Sequence, residues 1–127
     1  MMIMNTKLCL SLLLLFKSSL VLSQQVLLHP YSRLVPVGTD VYFKCKLRDA
    51  QNPHWMIGHI EANSDFHRNH LSARGIYILD NEQNNGITTL TLEINSSYSN
   101  VNNTEITCRG SELRSRAAYL LTVNRKF

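Results

Sequence analysis

The chain has 127 residues, 44% of them hydrophobic, and 13 Lys and Arg against nine Asp and Glu give a formal charge of +4. That length suits one domain and leaves little for a second. So mild a basic excess, which falls to +2 without the first 23 residues, does not argue for nucleic acid. The first 23 residues place Lys7 ahead of an apolar run over 8–16, and Val21-Leu22-Ser23 closes the segment with a small residue. This order predicts a secretory signal, residues 1–23, removed after Ser23. The run is stopped by Lys17 and is short for a membrane span, which argues against an uncleaved anchor.

Removal takes Lys7, Lys17 and Cys9 with it. A single domain over 24–127 then holds eleven basic residues, nine acidic ones and two cysteines, Cys45 and Cys108. An even pair in an oxidising, extracellular compartment predicts one disulfide. Closing so long a loop contributes about 2–4 kcal/mol, against a typical total of about 5–15.

Beyond the signal the apolar spacing is mostly two, and no helical period is predicted. A first strand over 26–28 breaks at His29-Pro30, and residues 34–38 lead into a strand over 41–45. There Val41, Phe43 and Cys45 share one face, with Tyr42 and Lys44 on the other. Gln51-Asn52-Pro53 is a turn, and the strand over 54–60 that follows directs Trp55 and Ile57 inward. Residues 61–72 are polar and irregular, read as loop and short edge strands. A strand over 75–79 and the Asn85-Gly86 hairpin turn precede residues 87–94, where Leu90, Leu92 and Ile94 point inward. A polar connection over 95–103 leads to the Cys108 strand, and the last strand, 117–123, is read with Ala117, Tyr119, Leu121 and Val123 inward. Seven or more short strands between turns predict an all-β, two-sheet antiparallel sandwich.

From about Leu34 to Val123 the chain resembles an immunoglobulin-superfamily domain of V-like or intermediate type. The resemblance rests on Val41-x-Phe43-x-Cys45, Trp55, Leu90-x-Leu92-x-Ile94, Cys108 and Tyr119-x-Leu121-x-Val123. It implies that Cys45 and Cys108 form an inter-sheet disulfide packed on a buried Trp55. Ile106 stands where the family often carries its corner tyrosine, with Tyr98 a candidate replacement. Asn102 stands where an aspartate often pairs with an arginine such as Arg74. No Gly-x-Gly stretch follows Cys108, which argues against a rearranged antigen-receptor variable domain.

Asn95-Ser96-Ser97 and Asn102-Asn103-Thr104 are glycosylation sequons in the polar connection. His67-x-x-His70 lacks the helix and third ligand that zinc requires, so no metal and no cofactor are expected. Serines lie in turns and both cysteines are committed, so no catalytic constellation is expected. Recognition remains. The resemblance implies that the sheet of Trp55 and Cys108 packs on partners, with His54, Met56, Thr107, Arg109, Ala118 and Leu120 facing out. Met56 and Leu120 would add apolar exposure there, read either as an interface or as scattered single residues. Arg109, Arg114 and Arg116 bracket the loop before the last strand and suit carboxylate or sulfate.

The expectation is a secreted or cell-surface module of adhesion or immune signalling, binding a protein ligand or receptor, a second copy included. Nucleic acid is not expected as a partner, nor a membrane span within this chain. Two rival readings stay open: the N-terminal ectodomain of a longer membrane receptor, and a glycan- or heparin-binding module using the three arginines.

Overall fold

The computed structural model describes residues 24–98 and 101–124; the signal expected over 1–23 lies outside them. Ten strands and one helix follow in order: β1 Gln25–Leu28, β2 Arg33–Pro36, β3 Asp40–Arg48, β4 His54–Ile57, β5 Ile60–Ala62, α1 Asp65–Ser72, β6 Ile76–Ile78, β7 Glu82–Asn84, β8 Ile87–Asn95, β9 Thr104–Arg109 and β10 Ala118–Val123. One sheet runs β1-β3-β8-β6, with β7 also on β8, and the other runs β2-β10-β9-β4-β5. The pairs are antiparallel except β2 with β10, where Leu34 lies beside Leu121 in a parallel register. Relative to a constant-type sandwich, β5 is one extra strand beside β4, and α1 follows it where a second would come.

Alternation builds the core. β3 buries Val41, Phe43, Cys45 and Leu47 from one face, and β8, paired with it residue for residue from Asp40↔Asn95 to Arg48↔Ile87, buries Leu90, Leu92 and Ile94. Trp55 and Ile57 of β4 face them from the other sheet with Ile106 and Cys108 of β9. Each such side chain contributes about 1.5–3 kcal/mol on burial. The Cys45–Cys108 disulfide joins the sheets through this layer, with a Cα–Cα distance of 6.5 Å. Asn85 and Gly86 take φ of +53° and +78°, the left-handed pair of a tight hairpin turn.

Three expectations need correction. The strand read over 54–60 is a hairpin: it turns at Gly58 (φ +59°) and returns as β5, which places His59 in the turn. Residues 61–72, read as loop and short edge strands, include the end of the edge strand β5 but also contain α1. Ser64 caps it by accepting from the His67 N–H, and Asp65 in the first turn is favourable to the helix dipole. Two turns with a single buried anchor, Leu71, are too brief for a visible 3.6-residue period. Finally, β10 has the opposite facing. Ala118 lies opposite the buried Ile106, so Ala118 and Leu120 turn inward while Tyr119 and Leu121 turn out.

Candidate recognition surface

The outer face of the second sheet follows from its register. Across β4 and β9, Trp55 opposes Cys108 and Ile57 opposes Ile106 on the inside, so His54 with Arg109 and Met56 with Thr107 lie on the outside. Glu61 opposes Met56 from β5, and Glu105 opposes Tyr119 from β9. The parallel pair then sets Leu34 beside Leu121 on that same face. Leu34 is 65% exposed, Leu121 41% and Tyr119 39%, giving an apolar strip along β2 and β10.

Leu120, expected outside, is fully buried in the core, as is Ala118. Neither contributes to the surface. Met56 is half-buried, and His54 and Thr107 point outward by register yet are buried. His54 Nδ1 lies 2.7 Å from the Asn52 carbonyl oxygen, which can only accept, so this nitrogen carries the proton. Its Nε2 has no hydrogen-bond partner among the described residues, with Glu61 Oε1 at 3.9 Å.

The three arginines do not converge. The backbones of Arg109 and Arg114 pair as an isolated antiparallel β-bridge at one end of the sheet, and Arg114 is exposed. Arg116 is exposed too, but it belongs to the edge near β1: its backbone N–H donates to His29 Nδ1 at 2.9 Å. Burial first and the Arg116 guanidinium second hold His29 below its ordinary value of 6.5. At neutral pH the ring is therefore a neutral acceptor, as that hydrogen bond requires.

Asn95 and Asn102 lie at the end of the sandwich away from Arg109, separated from it by the length of β9, ~20 Å. Asn102 is exposed, and its Oδ1 accepts from the Thr122 N–H at 2.9 Å. Asn95 Oδ1 accepts from Ser97 N–H and Oγ–H at 3.0 and 2.8 Å. Both arrangements use the amide oxygen and leave Nδ2, the atom a glycan is attached to. The Tyr98 ring lies against Gly75, whose φ of +80° and lack of a Cβ admit it. The connection is thus anchored to the turn after α1 rather than through the missing corner tyrosine. Arg74 forms no ion pair among the described residues. His67 and His70 do share a helix, but no third His, Cys, Asp or Glu joins them among the described residues.

No family model matches the chain, and neither does any curated protein sequence. Solved structures match its fold. Duf (Kirre) D1 superposes with a TM-score of 0.60 at 17% identity, covering 81% of this chain and 99% of that one. The N-terminal Ig1-2 module of the Drosophila receptor protein tyrosine phosphatase DLAR gives 0.58 at 18%, covering 81% and 50%. The Ig-like domain of human Obscurin-like protein 1 gives 0.60 at 14%, covering 82% and 89%. The chain therefore has the immunoglobulin fold. It spans only 46% of a further structure, the tandem Ig repeats of Dlar.

Proposed function

We propose that this chain is an extracellular recognition domain that binds a protein partner through the outer face of the β2-β10-β9-β4-β5 sheet. The single observation that carries the reading is the exposed Leu34–Leu121 pair with Tyr119 alongside. Apolar and aromatic side chains contiguous on a sheet face form the core of protein interfaces, while Arg109, Arg114 and Glu61 supply a charged rim. A signal over 1–23, glycans at Asn95 and Asn102 and a disulfide formed outside the cell belong to the same reading. The module needs no cofactor and performs no reaction. Its likeness to half of a two-domain receptor module favours a second reading, in which the chain is one ectodomain of a longer receptor.

The test is binding of the secreted chain to an array of extracellular domains that includes the chain itself. Saturable binding lost in Leu34→Asp supports the proposal. Absence of any saturable binding, or equal binding by Leu34→Asp, contradicts it.

A further inference from the structure

β1 leaves its partner early. Its pairing with β3 runs from Gln25 opposite Arg48 to Leu28 opposite Lys46, with a bulge between Val26 and Leu28. The chain then crosses through His29-Pro30-Tyr31-Ser32 and enters the other sheet at Arg33. The edge of β3 beyond Lys46 is left uncovered. A groove of about 350 Å³ opens there, lined by Leu28, Tyr31, Arg33, Tyr42, Phe43 and Lys44.

A line of cations leads into this groove. Tyr42, Lys44, Lys46 and Arg48 alternate on the outward face of β3, and all four are exposed. Alternate positions on a strand are ~6.6 Å apart, so the three cations span ~13 Å. Their neighbours on β8 are Thr91, Thr89 and Ile87, none of them acidic. Arg33 adds a cation on the opposite wall, and Arg116 adds another in an adjoining cleft that shares Tyr31 and Leu28. None of these five cations is in an ion pair with a described residue. One carboxylate, the exposed Glu82 of β7, lies on the same row as Lys46, two strands away across Thr89 and ~10 Å from it; the other nearby carboxylates lie at the ends of the line. Glu93, which accepts from the Tyr42 hydroxyl at 3.2 Å, and Asp40 are at one end, and Asp49 follows Arg48 at the other.

Five unpaired cations on a chain of low net charge are a local concentration. Two tyrosines beside them offer ring faces as well as hydroxyls. Ammonium and guanidinium groups in a row match a linear polymer with repeated anionic groups, and ring faces match the C–H faces of pyranoses. From this we infer that the β1–β2 crossover groove and the Lys44-Lys46-Arg48 line bind a linear sulfated polysaccharide. The Lys44-Lys46-Arg48 line is on the opposite sheet from the apolar strip, and only the groove's far wall, at Arg33, belongs to the strip's own strand β2.

The test is elution of the secreted chain from immobilised heparin in a salt gradient. The wild type is expected to elute above ~0.15 M salt, where interactions beyond ~8 Å are largely screened. The triple variant Lys44→Gln, Lys46→Gln, Arg48→Gln is expected to bind roughly tenfold or more weakly, because three direct charge-assisted contacts are lost. Tyr31→Ala is expected to weaken binding at unchanged charge. The pair Arg109→Gln, Arg114→Gln should elute with the wild type. Thermal melts confirm that each variant is folded. Elution of the wild type below that salt, co-elution of the triple variant with it, or equal displacement by desulfated heparin or by a DNA oligonucleotide would overturn the inference.

Discussion

Leu34 and Leu121 lie side by side across the parallel β2–β10 pair, and both face solvent. One strand position away, Leu120 is fully buried. This single step separates the binding strip from the core and makes the two roles separable by mutation. Leu121→Asp is expected to abolish partner binding while shifting stability by no more than about 0.5 kcal/mol. Leu120→Ala is expected to cost about 2–5 kcal/mol and to leave the strip intact. Denaturant melts of both variants, paired with binding, check the assignment. A large loss of stability in Leu121→Asp would place that residue in the core.

The disulfide holds the two sheets through the Trp55 layer, since Trp55 and Cys108 are directly opposite on β4 and β9. Reduction, or Cys108→Ala, is expected to cost about 2–5 kcal/mol and to unfold the domain near body temperature. A thermal melt unchanged by reductant would contradict this.

Gly75 admits Tyr98. A Cβ there would come within 2.5 Å of the Tyr98 ring, at a φ of +80° that side chains avoid. Gly75→Ala is expected to destabilise by roughly 1–3 kcal/mol. Adding Tyr98→Ala should relieve the clash but not the backbone term. In a double-mutant cycle the pair would then cost less than the sum of its singles. Simple additivity would show that the ring does not rest on Gly75.

His29 carries a pH dependence whose sign is fixed by its depressed pKa. In the unfolded chain the imidazole takes up its proton near 6.5, and in the folded protein only at lower pH. Its contribution is therefore present above about 6.5 and is lost as pH falls through the lower, folded value. Protonation also removes the acceptor of the Arg116 N–H and sets a second cation beside that guanidinium. Melting temperature is expected to drop between pH 7.5 and 5.5, and less so in His29→Gln; an identical drop in the variant would remove His29 from the account.

Capping of α1 is the simplest test of the helix that the pattern concealed. Ser64→Ala removes the oxygen that accepts from the His67 N–H and is expected to cost about 0.5–2 kcal/mol. A change near zero would mean that Leu71 alone fixes the segment.

Much of the fold was legible because certain residues tolerate few positions. Cys45, Trp55 and Cys108 mark facing strands, and Leu90, Leu92 and Ile94 alternate with polar residues that leave one choice of face. β10 offered no such choice: Ala117-Ala118-Tyr119-Leu120-Leu121 is apolar at every position, so its parity depends on Ile106 of the neighbouring strand. Leu34 and Leu121 were consequently missed as a surface pair. The cationic line was missed because the strand was read only to Cys45 whereas β3 runs to Arg48, and the groove beside it exists only because β1 departs at Leu28. That departure has no local signal beyond His29-Pro30.

The most direct test of a protein-recognition role is saturation binding of the labelled domain to heparinase-treated cells, before and after surface proteolysis, alongside Leu121→Asp and the Lys44/Lys46/Arg48 triple glutamine variant. The expected result is saturable binding that proteolysis removes, that Leu121→Asp abolishes, and that the triple variant retains at physiological salt. Binding by Leu121→Asp equal to that of the wild type would contradict a protein-recognition role for the β2–β10 face.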